Sequence, residues 1–431
     1  TGSVKVEAWK PKLKELLSFL AKATIMKYQP SIIGITGSVG KTSAKEAVYA
    51  VLKDARSVRA SCGNMNNEFG LPLTILADWS PLDLSAISSS RGADHSIFRK
   101  IFFWMKVIFV GFRNIIFNVK YPEVLLLEYG IQKPGDMKYL LDIARPSIAI
   151  VTALGDLPAH MEFFNSVEAL AREKGRLVEA VPAVGFVVLN VDERFVYEMK
   201  DLARAHVVTF GFDKDAEVRI INLENLSTED HPFGVTFKIS YGGAMVPVRF
   251  VNTFGKPQAY AAAAAAAIGI IFGSNLVKIS EALSRNYVPA KHRMNLISGE
   301  SGFFIIDDSY NASPASMVAA IETVKSLTAK RKIAVLGDML ELGALGISAH
   351  EEMGRLSGEV FDFLLTVGAR GKIIAEAALK DGHILRKNIK SFDNAEDVII
   401  ELKALLKVGD LVLIKASRGI GLDRVVDALK I

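Results

Sequence analysis

The stretch Gly34–Ser43, GITGSVGKTS, decides the fold. It continues an apolar run from Ser31, SIIGI, that reads as a short buried strand, and a helical pattern follows from about Thr42. A strand entering a glycine-rich turn and then a helix lets backbone N–H groups of the turn and the helix N-terminus point at phosphates. Lys41 adds a point charge to that cradle. The spacing departs from G-x-x-x-x-G-K-[ST], because Ile35 stands where the first glycine belongs. What the loop serves therefore depends on the rest of the chain.

At 431 residues and 50% apolar composition, the chain is long enough for two to three domains with ordinary cores. A single cysteine, Cys62, excludes an internal disulfide framework, and no secretory pattern is visible, so a cytoplasmic location is expected. The net charge of +5 and pI near 9.0 are dispersed rather than gathered into basic blocks. No nucleic-acid partner is expected; anionic small molecules or a membrane surface account for the sign equally well.

Residues 4–28 read as an amphipathic helix with Leu13, Leu16, Leu17 and Leu20 on one stripe. SCGNMNNEFGLPLTIL, Ser61 to Leu76, holds three asparagines and two glycines, which alone would mean a turn. EVLLLEYG reads as a strand ending in Glu128, at the strand end where open α/β sheets place ligands. A carboxylate there either holds Mg²⁺ beside a nucleotide or is a solvated strand end. SIAIVTAL, SVEALAREKGRLVEAV and GFVVLNVD continue a βαβ rhythm, so the sheet is expected to be mostly parallel. Residues 207–251 suggest an antiparallel patch, and AYAAAAAAAIGIIFG a tight packing helix rather than a membrane span. Beyond RNYVPAKHRMN, GFFIIDDSY, KIAVLGDM, FDFLLTVG and DLVLIKAS read as the strands of a second α/β unit, doubly wound.

Taken in order, the loop, GNMNNEFGLPLT, LEYGIQKPGD, IIDDSYNASPASM and VLGDMLELG resemble the Mur ligases. These are ATP-dependent enzymes that add amino acids to the peptidoglycan precursor, and the strings look most like those of MurF-type members, which add D-alanyl-D-alanine. The family loop reads TG[ST]xGKT[ST], which Thr36 to Ser43 fits, explaining the missing first glycine. The resemblance, from about Ser31 to Ile431, implies an α/β fold. A central ATP-binding Mur ligase domain of mostly parallel sheet would occupy residues 31–290, and a Rossmann-like, doubly wound C-terminal ligase domain residues 291–431. Residues 1–30 would be a short helical segment in place of the usual UDP-binding domain.

Residue roles follow from the resemblance alone. Thr36, Gly37, Ser38, Gly40, Lys41, Thr42 and Ser43 would bind ATP, with Lys41 at the β and γ phosphates. Thr42 and Glu128 would hold one Mg²⁺. His160, in LPAHMEFFNS, and Lys174, in AREKGRL, would hold a second, Lys174 as a carbamate; their bland readings are a surface hydrogen-bonder and a solvated helix lysine. Arg293 would reach the phosphates, Asp308 the ribose, and Asn311 both nucleotide and incoming dipeptide. Gln258, in GKPQ, would replace the asparagine of the family's G-x-H-N. Asn64, Asn66, Asn67, Asn311, Lys415, Ser417 and Arg418 would contact substrate, with Ala416 replacing the glycine of KGSR. Lys41, His160, Lys174 and Arg293 are the implied catalytic set, and His350 reads as a helix-start residue. The implied substrates are UDP-N-acetylmuramoyl tripeptide and D-Ala-D-Ala, joined through an acyl phosphate. A Mur-type ligase with a lipid-linked or non-UDP acceptor, or a silent ATP-binding cell-wall scaffold, stays open.

An insertion at about 85–120 stands outside the resemblance. Arg99, Lys106, Arg113 and Lys120 recur every seven residues, aligning on one stripe of a helix among Phe, Ile, Val and Trp. Its charges interrupt it too often for a span. Residues 97–120 thus suggest either peripheral docking at the inner face of the membrane, or packing against residues 4–28 or a second copy.

Overall fold

A computed structural model describes residues 9–61, 63, 65–87, 97–155, 161–228, 231–381 and 383–431; Cys62, Asn64 and His160 lie outside them. Two sheets organise the chain. The first contains β1 (Ser31–Thr36), β2 (Val58–Ala60), β3 (Val124–Glu128), β4 (Ile148–Val151), β5 (Phe186–Asn190), β6 (His206–Gly211), β7 (Val218–Ser227), β8 (Pro232–Tyr241) and β9 (Ala244–Val251). Its order is β2-β3-β1-β4-β5-β6-β7-β8-β9, parallel through β7 and antiparallel in the last two strands. The second contains β10 (Asn295–Ser298), β11 (Phe304–Asp307), β12 (Arg331–Gly337), β13 (Phe363–Val367), β14 (Ile389–Phe392) and β15 (Asp410–Lys415). Its order is β10-β11-β15-β12-β13-β14, with only β10 antiparallel.

The helices up to the end of the first sheet are α1 (Lys10–Tyr28), α2 (Lys41–Leu52), α3 (Gly70–Leu76), α4 (Pro81–Ser85), α5 (Ile97–Ile116), α6 (Asp136–Ile143), α7 (Val167–Glu179) and α8 (Arg194–Tyr197). After it come α9 (Lys256–Ile271), α10 (Leu276–Asn286), α11 (Pro314–Ser326), α12 (Gly346–Val360), α13 (Gly371–Asp381), α14 (Ala395–Leu405) and α15 (Asp423–Leu429).

Strands β1, β3 and β4 are covered on both faces, which is why they are apolar without alternation. One face packs on α2 and α9, the other on α6 and α7. In α9, Ala261 to Ala267 are all buried, and the small side chains let the helix lie close to α2 and the sheet. In β9 the burial alternates, as expected of a strand with one face in the core. The sequence pattern missed β10 and β14, four-residue edge strands that are at most half-buried.

A separate helical cluster packs Leu13, Leu17 and Leu20 of α1 with Leu73 and Leu76 of α3 and with Phe103, Val107 and Val110 of α5. One face of the insertion therefore does pack against the first helix. The four-residue basic stripe needs correction, because α5 ends at Ile116 and Lys120 lies beyond it. The end is fixed from a distance: Lys27 Nζ donates to the Phe117 carbonyl at 2.6 Å, and Tyr28 Oη to the Asn114 carbonyl at 3.0 Å. Lys106 is also drawn aside, 2.7 Å from Asp83. Among the described residues, no helix is long and apolar enough to cross a membrane.

Candidate active site

The loop between β1 and α2 turns through two left-handed glycines, Gly37 at φ 144° and Gly40 at φ 88°. A Cβ on Gly37 would collide with the Thr152 hydroxyl, so this position admits only glycine without rearrangement. Thr152 Oγ1 donates to the Val39 carbonyl at 2.6 Å, and Ser38 N–H to the Ala153 carbonyl at 2.7 Å, tying the loop to β4's exit. The first turn of α2 leaves N–H groups without intrahelical partners and carries no acidic residue to repel an anion. Ser38 Oγ is buried without a protein hydrogen bond, while Thr36 Oγ1 is spent on the Tyr129 carbonyl at 3.0 Å.

Two lysines converge on one carbonyl. Lys41 Nζ donates to Gly37 O at 2.7 Å and Lys174 Nζ at 3.0 Å. Burial pulls Lys41 down to about 8; Glu128 opposes this and Arg293 adds to it. Lys174, reaching in from α7, is pushed well below the usual lysine range, first by burial and then by the charge of Lys41. It is not the solvated helix lysine of the bland reading, and burial favours its uncharged, nucleophilic form.

Glu128 is equally buried, so it is not a solvated strand end. Its Oε2 lies 3.4 Å from Thr42 Oγ1 and its Oε1 3.1 Å from Lys45 Nζ. Lys45 was absent from the sequence reading; it is fully buried and also donates to the Ser61 carbonyl at 2.5 Å. The available signal was its spacing, four residues after Lys41 and so on the same helical face. Thr42 and Glu128 offer hard oxygen donors that fit a Mg²⁺ ion. Among the described residues no three acidic, His or Cys side chains cluster, so such an ion would complete its shell with phosphate and water oxygens.

The second sheet faces this loop. Arg293 Nη2 lies 3.4 Å from Thr42 Oγ1, and its guanidinium sits 4.3 Å from the centre of the Tyr310 ring. Arg418 approaches the same ring at 5.6 Å. Tyr310 also escaped the sequence reading, although it stands beside Asn311 in SYNASP. Lys415 Nζ meets Asp308 Oδ2 at 2.5 Å and the Asn311 carbonyl at 2.8 Å. Burial raises the Asp308 carboxyl above its ordinary value, with Lys415 opposing. Ser417 Oγ accepts from Leu340 N–H at 2.9 Å and donates to the Ala312 carbonyl at 3.3 Å, joining two loops of the rim.

Other expected site residues are braced by protein. Gln258 is buried; its Nε2 donates to the Arg293 carbonyl at 3.4 Å and its Oε1 accepts from Tyr287. Asn67 Oδ1 accepts from Gly70 N–H at 2.9 Å, holding the turn into α3, and the Asn66 carbonyl accepts from Gly130 N–H at 2.9 Å. His350 lies inside α12, fully buried, with Nε2 accepting from Met339 N–H at 2.9 Å and Nδ1 against the Gly346 carbonyl. Burial lowers its pKa, so it is a neutral brace for the loop after β12. Ser43 is buried in the first turn of α2. A cleft of about 780 Å³ joins these parts, with Ser43, Asn66, Asn67, Gln258, Asn311 and Arg418 in its walls and Lys14 of α1 at its edge.

The Mur ligase middle domain matches residues 35–79 and 110–269, and the Mur ligase, glutamate ligase domain matches residues 292–418. The chain is 31% identical over 415 residues to the UDP-N-acetylmuramoyl-tripeptide--D-alanyl-D-alanine ligase of Bacillus subtilis, covering 96% of this chain and 79% of that relative. Identity to the Escherichia coli relative of the same name is 26%, over 93% of this chain and 76% of the other. MurF from Thermotoga maritima in complex with ADP shares the fold at TM-score 0.74 and 24% identity, over 96% and 83% of the two chains. MurF from Acinetobacter baumannii does so at 0.74 and 23%, over 96% and 79%. The chain belongs to the Mur ligase family, in its MurF-type branch, and is an ATP-dependent amide-forming ligase.

Proposed function

We propose that this chain joins D-alanyl-D-alanine to UDP-N-acetylmuramoyl tripeptide. The names of its relatives support the substrate pair. The observation that carries the chemistry is the 3.4 Å approach of Arg293, from beside the second sheet, to Thr42 on the phosphate loop of the first. In this reading residues 31–290 bind ATP, residues 291–431 close over it, and the phosphates lie on the loop and the start of α2. An acceptor carboxylate oxygen attacks the γ-phosphorus, the bond to the bridging oxygen breaks, and ADP leaves an acyl phosphate. The dipeptide nitrogen then attacks the acyl carbon, phosphate departs, and the nitrogen's surplus proton goes with it or to water.

Lys41 and Arg293 stabilise charge on the γ-phosphoryl oxygens as it moves, and alignment of the two substrates contributes ~7–11 kcal/mol in favourable cases. Asp308, fixed by Lys415, meets the ribose, while Asn311, Ser417 and Arg418 frame the incoming dipeptide. Gln258 stands near the adenine, and Asn66 and Asn67, with Asn64, shape the acceptor side. Thr42 and Glu128 would hold one Mg²⁺, and His160 with carbamylated Lys174 a second, drawing negative charge from the phosphates when bound. Carbamylation fits a buried lysine whose uncharged form burial favours, since that form adds to CO₂ and releases a proton.

Omission assays test the reading. Phosphate release is expected to require ATP, Mg²⁺, both substrates and, through Lys174, bicarbonate, with a pentapeptide product by mass spectrometry. Turnover with the dipeptide but only with a different acceptor would overturn the substrate assignment. Lys174→Ala is expected to lose about a hundredfold or more in kcat.

A further inference from the structure

The face of α5 turned away from α1 and α3 is exposed among the described residues. Phe98, Phe102, Met105, Phe109, Phe112 and Ile116 succeed one another at three- and four-residue steps and are 82, 68, 56, 68, 43 and 67% exposed. That spacing makes one continuous apolar ridge along the helix. A ridge of this kind marks an interaction surface rather than ordinary scatter of apolar residues. It is also presented rigidly. A Cβ on Gly111 would come within 2.7 Å of Leu20, so the two helices are in close contact, and Lys27 and Tyr28 secure the carbonyls at its end.

Charge selects the partner. Residues 97–120 carry Arg99, Lys100, Lys106, Arg113 and Lys120 and no Asp or Glu. Lys106 is engaged by Asp83, while Arg99, Lys100, Arg113 and Lys120 are exposed. A second copy meeting ridge to ridge would oppose these cations with cations, and the segment has no carboxylate to answer them. An anionic bilayer offers apolar depth and counter-charge together. Residues 80–109, most of α5 included, also fall between the two stretches matched by the middle domain, so the ridge is an addition to the shared nucleotide-binding fold.

We propose that the outer face of α5 docks this chain on an anionic lipid membrane, lying flat with its aromatic rings at the headgroup–acyl boundary and its cations on lipid phosphates. The proposal does not depend on the substrate assignment. It gives the cleft a place, because α1, which backs α5, also sends Lys14 to the cleft's edge, 3.9 Å from the Tyr139 ring centre. Docking thus holds one wall of the cleft beside the bilayer.

The test is flotation of the full chain with vesicles of phosphatidylcholine alone or mixed equally with phosphatidylglycerol. The chain is expected to float with the mixed vesicles and not with phosphatidylcholine alone. Phe102→Glu with Phe109→Glu should reduce partitioning by about tenfold or more. Arg99→Gln, Lys100→Gln and Arg113→Gln should each reduce it about fivefold at low salt. All these positions are exposed, so unchanged thermal midpoints will separate lost docking from lost folding. Failure of the parent chain to bind mixed vesicles overturns the proposal. So does equal binding by the double Phe variant, or a solution dimer that this variant dissolves while vesicle binding is absent.

Discussion

Two lysine side chains aimed at the Gly37 carbonyl set the chemistry of the free loop. Burial brings Lys41 down to about 8, so near that pH part of it is uncharged before any ligand arrives. Phosphate oxygens favour the cation and raise that value, so nucleotide binding near pH 8 should draw a fraction of a proton onto the protein. Calorimetry of ADP or ATP binding in buffers of different ionisation enthalpy should show this uptake, and Lys41→Met should abolish it. A binding enthalpy independent of buffer would contradict it. Lys45 makes a second prediction, because it is the buried counter-charge of Glu128. Lys45→Met should cost about 3–5 kcal/mol in urea unfolding, much of it restored by adding Glu128→Gln. A loss below about 1 kcal/mol would mean that Glu128 is reached by water. Lys41 and Glu128 drew attention by motif and placement, and Lys174 only through the resemblance. Lys45 was not, because a lysine on a helix reads as solvated until the packing around it is known.

At the scale of elements, the strands that build the cleft were legible where both faces are covered. SIIGIT, VLLLE and IAIV are unbroken apolar runs bounded by turns. The edge strands β10 and β14 are short and half-buried, and nothing in their pattern distinguishes them from loop. The insertion shows the same limit differently. Its seven-residue repeat of basic residues is real, but the helix stops at Ile116, where Lys27 and Tyr28 of α1 take the carbonyls of Asn114, Ile115 and Phe117, contacts between residues some ninety positions apart. Its exposed ridge is made by four phenylalanines with Met105 and Ile116, not by the cations that drew attention first. The phosphate loop is the element most sensitive to a single change. Gly37→Ala forces a side chain into a left-handed position against Thr152, and should weaken ATP binding about ten- to a hundredfold with the far-ultraviolet dichroism unchanged. Unaltered nucleotide affinity would show that the loop rearranges freely.

At the scale of the whole molecule, two sheets, each packed on its own apolar clusters, share one cleft. Thr42 and Arg293, which meet there, are 251 positions apart, more than half the chain, so motif order hinted at the meeting and only the fold supplies its distance. Arg293 bridges it with a long contact, so its removal should spare stability and damage turnover. Arg293→Ala is expected to lower kcat by about a hundred- to a thousandfold while the thermal midpoint moves by only a few degrees. A parallel loss of stability would make it a structural strut instead. The claim underlying all of this is that the acceptor carboxylate is phosphorylated in that cleft before the amide forms. Turnover with acceptor labelled by oxygen-18 in the reacting carboxylate tests it most directly. Each phosphate released is expected to carry one labelled oxygen, since the amine displaces phosphate with the carboxylate's own oxygen attached. Unlabelled phosphate, with the amide still formed, would contradict it.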